Sequence, residues 1–481
     1  MSDTTDGTAP PVRLRPWSRI PALRSGLLGP VGDARAFNRD PVAFLRAGRD
    51  QAGDLFRFRL LGQRVLFVCG PDLHRAFFRA GEETLSAGAA YPFMKPIFGE
   101  GVMFDAEPAE RDRQMAYLSP LLAGHMQQGH AALAEEEVER RVATWGDEGE
   151  VDLVPAITEL VAAVSSRCLL GEEFSTRVGS RSVALYRELA SGIRMAGLLH
   201  PRLPLPAFRR RDHARRRIAG ELQQIIRERR ADPRPREDLL NALLTARTPQ
   251  GGQLPDDLVT GVLIAATFAG QHNTAALAAW AGVVLLDQSD ALPRVLAEQH
   301  RIMSGGTGMT VEGLHRMEWL EHCVREAERL YPPVFMIFRR AMRPWQAGGF
   351  HVPTGTWVVL SPAVSHRLPA VFADPGRCAP ERYAGDRHEH LTPHALIGFG
   401  GGQHRCTGLA FAHLMVKTIW SVLLRRFHLE LLGGPHRPEY ATAFVALPSD
   451  PCTLRYRLRD LSPPHSPATP GAAPRTPPCP R

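Results

Sequence analysis

The sequence lacks the cysteine pattern of a disulfide-stabilised or zinc-binding protein. Its seven cysteines are irregularly spaced, and none of them forms a Cys-x-x-Cys pair. An odd number in such an arrangement argues against a disulfide framework and favours a reducing compartment, so we expect a cytoplasmic protein. The N-terminus has no basic region followed by an apolar one, and a signal peptide is therefore not expected.

Charge is absent from one long stretch, which has to be tested as a membrane span. Residues 258–286 contain no Asp, Glu, Lys or Arg, and roughly 18 apolar residues are enough to cross a bilayer. Polar side chains stand in the middle of this stretch, at Gln271, His272 and Asn273, where lipid would make them most costly. We therefore expect a helix buried in the centre of a large protein and no membrane span.

Positive charge is in excess, with a formal net charge of +8 at pH 7. The densest run of arginines lies within residues 209–217. No aromatic residues alternate with these arginines, as they do in many nucleic-acid-binding surfaces, so we expect no nucleic-acid partner. Two interpretations remain, which are a solvated helix face and a docking surface for an acidic redox partner.

The distribution of helix and strand signals predicts a mainly α-helical chain with small β-sheets near both ends. Residues 1–35 are polar and rich in proline and glycine, and we expect an irregular lead-in. A strand pair within 55–70 is followed by largely helical periodicity from 108 to 226. Residues 459–481 are rich in proline and lack material for a core, so this tail is expected to be disordered. The remaining residues, 36–458, are expected to form one domain.

A glycine-rich turn precedes Cys406, with the spacing Phe399-x-x-Gly402-x-x-x-Cys406-x-Gly408. A thiolate that binds haem iron needs a backbone free of side chains near the flat ring, and amide N–H groups directed at its sulfur. A helix that starts just after the cysteine supplies such donors, and Phe399 can shield the sulfur from water. An incidental buried cysteine after a glycine-rich turn is the alternative. A cysteine hydrolase is excluded, since His404 is only two residues away and no acidic residue stands nearby to orient it.

The full spacing resembles the haem-binding signature of the cytochrome P450 family. This resemblance implies a single, mainly α-helical domain with small β-sheets, the cytochrome P450 fold, and a haem b whose iron has Cys406 as axial ligand. It also implies a monooxygenase that needs dioxygen and two electrons. Because no flavin- or nicotinamide-binding region is visible, the electrons are expected from a ferredoxin or flavodoxin. A haem protein that binds its ligand without turnover is the alternative from another class.

The resemblance also assigns residues around the haem. Phe399, Gly402 and Gly408 belong to the cofactor-binding turn, and Arg339 and His404 stand where the family holds the haem propionates. Three residues are expected to form the buried ion cluster that supports the segment beneath the haem: Glu326, Arg329 and Arg382. These three are structural supports, because separating them would leave buried charge unpaired.

In the family, the long central helix crosses the oxygen side of the haem and carries small residues for dioxygen and polar groups for proton delivery. Ala269 and Gly270 fit the small-residue groove, and His272 matches the histidine that sterol 14α-demethylases have there. Asn273 stands where the family has a threonine, and Thr274 is about 100° further round the helix. Either a water held by Asn273 relays the proton, or His272 and Thr274 carry it. Two further interpretations remain. The reaction could need no ordinary proton relay, or these polar residues could form a polar cluster of the core without a catalytic role.

Residues 91–105, YPFMKPIFGEGVMFD, resemble the substrate-contacting segment of bacterial sterol 14α-demethylases. By this resemblance the substrate-binding residues are Tyr91, Phe93, Met94, Phe98, Phe268, Ala269, Met336 and Phe444. Apolar walls of this kind suit a flat hydrophobic substrate. The first functional hypothesis is a sterol 14α-demethylase-like enzyme that removes a methyl group from a polycyclic isoprenoid by successive oxidations. The second is a hydroxylase or multi-step oxidase of a terpenoid or another hydrophobic natural product.

Overall fold

Helices carry most of the chain, and short strands form small sheets beside them, which confirms the predicted fold class. The computed structural model describes residues 14–23, 29–122, 126–179, 181–193, 197, 200–288, 290–303, 309–442 and 445–459. The helices of this part are α1 (Gly29–Arg39), α2 (Pro41–Ala52), α3 (Pro71–Arg79), α4 (Lys95–Phe98), α5 (Pro108–Leu122), α6 (Met126–Val142), α7 (Leu153–Ser165), α8 (Glu172–Val178), α9 (Arg181–Ala190), α10 (Pro206–Ala231), α11 (Leu239–Thr245), α12 (Asp256–Val283), α13 (Leu292–Met303), α14 (Val311–Arg316), α15 (Glu318–Leu330), α16 (Pro362–Ser365) and α17 (Leu409–Arg426). The strands are β1 (Leu55–Leu60), β2 (Gln63–Val68), β3 (Leu85–Ser86), β4 (Glu148–Asp152), β5 (Ile337–Ala341), β6 (Trp345–Ala347), β7 (Phe350–Val352), β8 (Trp357–Leu360), β9 (Phe427–Leu432), β10 (Pro438–Thr442), β11 (Val445–Pro448) and β12 (Thr453–Leu458).

The largest sheet has five strands in the order β1-β2-β8-β5-β3. Strands β2 and β8 are parallel, and the other neighbours are antiparallel. The β1–β2 hairpin closes at Leu61 and Gly62, whose φ angles of 49° and 79° suit a tight two-residue turn. The three-stranded sheet β4-β12-β9 joins segments that are far apart in the sequence. Local periodicity predicts strands of this kind but not their pairing.

Helix α12 contains most of the long uncharged stretch, and it is buried along most of its length. Its first two residues, Asp256 and Asp257, place carboxylates at the positive end of the helix dipole. Helix α17 packs along it, where the indole N–H of Trp420 donates to the carbonyl of Ala278 over 2.8 Å. A Cβ at Gly282 would collide with the Trp420 ring, so the close contact of these two helices requires glycine there.

By length and composition, one helical stretch of the described residues could cross a membrane. It is Leu153–Leu170, and 67% of it is buried inside the protein. Asp256–Gln288 and Leu292–Met303 pass the same test only together, as a pair bent by 114°. Buried core helices pass such a test as readily as membrane spans do, so it gives only weak support for a span.

The N-terminal segment is more regular than expected. Helix α1 starts at Gly29, so the predicted boundary at residue 35 falls inside a helix. Two β-bridges tie the residues before it to the rest of the protein, one from Arg15 to Phe350 and one from Ala22 to Arg57. The glycines and proline of α1 concealed the helix in the sequence, because these residues have the lowest helix propensities.

The C-terminal boundary of the folded chain lies one residue beyond the predicted one. The guanidinium of Arg459 donates to the carbonyls of Leu424 and Phe427, over 2.8 and 2.9 Å. Arg459 therefore belongs to the domain and not to the tail. Residues 460–481, which the composition predicts to be disordered, lie outside the described residues.

Candidate active site

The turn before Cys406 is held against helix α3 by close backbone contacts. Gly400 and Gly402 have φ angles of +72° and +60°, a region that favours glycine. A Cβ at Gly402 would collide with the carbonyl oxygen of Phe78, so no larger residue fits there. The main-chain N–H of Cys406 donates to the carbonyl of Phe399 over 2.9 Å and closes the turn. Gly402 is thus required by packing against Phe78 as well as by any approach to a flat ring.

Cys406 presents its sulfur just before helix α17. Its side chain is exposed, although the helix behind it is buried. Burial of the surroundings raises the pKa of the Cys406 thiol, and a hydrogen bond from the N–H of Gly408, the N-cap of α17, opposes that shift. The half-buried ring of Phe399 lies 5.5 Å from that of His413, ring centre to ring centre. A sulfur that is open on one side and bonded by an amide on the other fits an axial ligand of haem iron.

Arg111, Arg339 and His404 form a cluster of basic side chains beside this turn. His404 Nε2 lies 2.5 Å from Oε1 of Glu82 and 3.1 Å from Nη1 of Arg111. Burial alone would raise the pKa of Glu82, but hydrogen bonds from His404 and from nearby main-chain and hydroxyl groups lower it to about 2. The guanidinium of Arg339 is buried and donates to the carbonyl of Phe338. Within the described part of the chain, no carboxylate forms an ion pair with it.

The unpaired charge of Arg339 fits a cofactor that brings its own carboxylates. A buried cation is costly without a partner, and the propionates of haem b would supply one. The sequence indicated Arg339 and His404 but missed Arg111 and Glu82. Arg111 stands in helix α5 among other charged residues, and no local pattern distinguishes it from a surface arginine.

Helix α12 presents two different faces near its centre. Ala269 and Asn273 lie on an open face, whereas Thr274 is buried, with 4% of its surface exposed. The imidazole of His272 stacks on the ring of Phe268 with 4.5 Å between ring centres. Burial lowers the pKa of His272 to about 4, so this imidazole is neutral at neutral pH. Of the three predicted catalytic residues, His272 and Asn273 are partly accessible, and Thr274 is turned away from them.

A chain of aromatic rings leads away from His272. Phe268 lies 5.8 Å from Phe98, Phe98 lies 6.4 Å from Phe104, and Phe104 lies 5.0 Å from Tyr91, measured between ring centres. Ring pairs of this kind contribute about 0.5–1.5 kcal/mol each beyond their burial, which makes the wall rigid. Three predicted pocket residues, Tyr91, Phe98 and Phe268, are thus brought together. Phe104 was missed, although it belongs to the same sequence segment as Tyr91 and Phe98.

The other predicted pocket residues are placed differently. Phe93 is buried in the core, with its ring 5.7 Å from that of Tyr91, and Met94 is half-buried. Met336 is buried in a second core cluster, against which Tyr91 also packs. Tyr91 therefore links the two groups. Its hydroxyl accepts a hydrogen bond over 3.0 Å from the main-chain N–H of Phe338, the residue before Arg339. Phe444 lies outside the described residues.

Glu326, Arg329 and Arg382 meet in a fully buried ion cluster. Oε1 of Glu326 accepts hydrogen bonds from Arg329 over 2.7 Å and from Arg382 over 3.2 Å. Its Oε2 accepts one from the hydroxyl of Tyr383 over 3.1 Å. Arg329 also donates to the carbonyl of Pro375 over 2.7 Å. The cluster therefore ties helix α15 to the segment that leads to the Cys406 turn.

The family model of cytochrome P450 matches residues 27–455. The chain belongs to the cytochrome P450 family. It is 36% identical over 435 residues to a sterol 14alpha-demethylase of Mycobacterium tuberculosis, covering 89% of this chain and 96% of that protein. It is 33% identical over 440 residues to a sterol 14-demethylase of Arabidopsis thaliana, covering 90% of each. Among solved structures, the retinoic acid-bound cyanobacterial CYP120A1 matches with a TM-score of 0.79 and 25% identity, over 91% of this chain and 99% of that one.

Membership in the family confirms the predicted fold and enzyme class. This cytochrome P450 is a monooxygenase, its cofactor is a thiolate-ligated haem iron, and it uses dioxygen. It takes electrons from a redox partner and acts on a hydrophobic substrate. The alternative of a haem protein without turnover is thereby set aside.

Proposed function

We propose that this cytochrome P450 oxidises a polycyclic isoprenoid in the manner of a sterol 14α-demethylase, removing a methyl group by successive oxidations. The observation that carries the proposal is the ring chain from His272 to Tyr91, a continuous apolar wall beside the open face of helix α12. A rigid ring system gains most from burial against such a wall. The similarity to a bacterial and a plant sterol demethylase supports the same substrate class.

A second candidate is a hydroxylase or multi-step oxidase of a terpenoid or another hydrophobic natural product. Asn273 favours it, because an amide stands on the open face of α12 where the family resemblance predicts a threonine hydroxyl. A structural relative binds retinoic acid, an isoprenoid without a sterol skeleton. A shared fold does not determine the substrate, so the same wall is compatible with either ring system.

In this proposal five side chains hold the cofactor. Cys406 would bind the iron through its sulfur, and Phe399 would keep water away from that sulfur. Arg111, Arg339 and His404 would bind the propionates through charge-assisted hydrogen bonds. When bound, the haem supplies the activation of dioxygen with two electrons.

Proton delivery on the oxygen side is assigned to His272 and Asn273. His272 is neutral, because burial lowers its pKa to about 4, and a neutral imidazole can accept a proton on one nitrogen and donate from the other. The amide of Asn273 offers a donor and an acceptor at the open face and can hold a water molecule there. Thr274 is buried on the other face, so we assign the relay to the two more accessible residues.

The electron donor in this proposal is an acidic ferredoxin or flavodoxin of the cytoplasm. The net charge of +8 favours an acidic partner, and Arg405 is exposed next to Cys406. The six cysteines of the described residues are free, as expected in a reducing compartment. A single domain from about Gly29 to Arg459 carries the whole activity.

The first test of the proposed substrate class is an optical titration of the ferric protein with a 14α-methyl sterol such as lanosterol. If the ring system reaches the iron, we expect a low- to high-spin shift of the Soret band at micromolar sterol. Changing Phe98 to alanine should weaken binding at least about tenfold, since this corresponds to 1.4 kcal/mol and a buried ring is worth more. Changing the exposed Leu391 to alanine is the control and should leave binding unchanged. A shift with terpenoids and none with sterols would favour the second candidate.

Changing Asn273 to threonine is expected to keep or improve the share of electrons that end in product instead of hydrogen peroxide. Threonine places a hydroxyl on the same open face, where it can hold the same water. Changing Asn273 to leucine removes this group, and product formation should fall about 100-fold or more, the contribution of a positioned proton donor. Product and peroxide are measured per electron consumed. Thr274→Val is the control, and its share of electrons that end in product should be unchanged. Loss of turnover in Asn273→Thr would show that the amide has a role of its own.

A further inference from the structure

Glu328 is a buried carboxylate directly behind the turn that carries Cys406. It lies on helix α15, with 7% of its surface exposed. The N–H of Gly398 bonds to this carboxylate, and a Cβ at Gly398 would lie 2.6 Å from Glu328 Oε1. Within the described residues, no arginine, lysine or histidine forms an ion pair with Glu328. The carboxylate is therefore held against the loop by the backbone alone.

The neighbouring charges are balanced without Glu328. Glu321 lies about two turns before Glu328 on the same helix. Its carboxylate binds Arg325 over 2.8 Å and Lys417 over 3.3 Å. His413 Nδ1 lies 3.0 Å from Oε1 of Glu321, whereas its Nε2 is buried and has no hydrogen-bond partner in the described part of the chain. Two cations and one histidine thus share one carboxylate, and Glu328 remains as a second acid without a cation of its own.

Titratable groups from four segments of the chain surround Glu328. They are Glu321 and Arg325 on helix α15, His413 on helix α17, Tyr383 on the segment after Pro380, and Cys406 on the turn. The pKa of Glu328 therefore responds to any new charge at Cys406, because interactions between buried charges are weakly screened.

We propose that Glu328 binds a proton when an electron reaches the iron, so that reduction of the cofactor is coupled to proton uptake behind the Cys406 turn. This inference rests on the proposed ligation by Cys406. The redox partner supplies the electron, which adds one negative charge to the iron and its ligand. Solvent supplies the proton, which converts the carboxylate of Glu328 to the neutral acid.

The position of Glu328 makes this step feasible near neutral pH. Burial raises its pKa to about 7, against smaller opposing effects of His413 and Arg325. An additional negative charge at Cys406 would raise that pKa further. Glu328 is therefore largely ionised before reduction and protonated after it, at pH values somewhat above 7.

The test is the reduction potential of the haem-loaded protein as a function of pH. From about pH 7 upwards we expect the potential to fall with pH, with a limit of about 59 mV per tenfold change in proton concentration for a one-electron couple. Glu328→Gln should lose most of this slope. The control is Glu318→Gln, an exposed glutamate on the same helix, and should keep it. An unchanged slope in Glu328→Gln, or no slope in the unmodified protein, would overturn the inference.

A second measurement separates this inference from the proposed function. The folded-state pKa of Glu328 is raised above its ordinary value, so its contribution to stability is complete at low pH and is lost as the pH rises through about 7. Glu328→Gln should remove this part of the pH dependence of unfolding, whichever substrate the enzyme uses. Failure of the sterol titration would leave both results untouched. An unfolding profile identical to that of the unmodified protein would contradict the titration of Glu328.

Discussion

Changing Cys406 to histidine is expected to lower monooxygenase turnover more than about 100-fold, because even residues that only support a metal ligand change activity by about 10–100-fold. Imidazole also binds haem iron, so the variant should still contain haem. A neutral nitrogen cannot replace the electron density that an anionic sulfur would supply to the haem iron. Product formation is measured with a saturating electron donor, and haem content is measured by absorbance on the same sample.

Cys452→Ala is the matched control for this experiment. Cys452 is also a free cysteine, but it is buried beside strand β12, and its carbonyl accepts from the main-chain N–H of Leu153. This main-chain bond survives the change, so turnover should stay near that of the unmodified protein. Turnover of Cys406→His within tenfold of the unmodified protein would contradict the assignment of Cys406 as the axial ligand.

Changing Glu326 to alanine is expected to destabilise the protein by about 3–5 kcal/mol, because it leaves the buried guanidinium of Arg329 without a carboxylate. Arg382 loses one of its two carboxylate partners and keeps Glu389 over 2.6 Å. Arg329 and Arg382 both bind Glu326 and are almost fully buried. The change also frees the segment before the Cys406 turn, so haem retention should fall together with stability. The free energy of unfolding is measured by denaturant titration, and haem loss is followed by transfer to an acceptor protein.

Glu381→Ala serves as the control for the ion cluster. Glu381 pairs with Arg377 over 2.9 Å in a neighbouring part of the same segment, but 44% and 65% of the two side chains are exposed. Exposed pairs contribute only about 0–1 kcal/mol, so this variant should be nearly as stable as the unmodified protein. Equal effects of the two substitutions would show that the Glu326 cluster does not support the fold as described.

Some parts of the site were predictable because the signal lies within a few residues. The spacing from Phe399 to Gly408 predicted the turn, and the uncharged stretch predicted a buried helix. The angle between successive residues on a helix also placed Asn273 and Thr274 on different faces. Local geometry of this kind follows from the period of the element and needs no knowledge of the rest of the fold.

The parts that were missed depend on contacts between distant segments. Arg111 meets His404 across almost 300 positions of the chain, and Glu82 joins them from a third segment. The role of Gly402 in packing against Phe78 is of the same kind. No periodicity or spacing encodes such pairs, because they arise only when the helices and the Cys406 turn are assembled.

The central claim is that this monooxygenase oxidises a polycyclic isoprenoid held against the aromatic wall. It is tested most directly by incubating the enzyme with isotopically labelled dioxygen, a reduced ferredoxin and a panel of sterols and terpenoids. Mass spectrometry of the extracted products reports whether label enters the substrate. We predict one labelled oxygen atom in the first oxidation product of at least one ring-bearing isoprenoid. Consumption of dioxygen with all the label in peroxide and water, for every member of the panel, would contradict the proposed function.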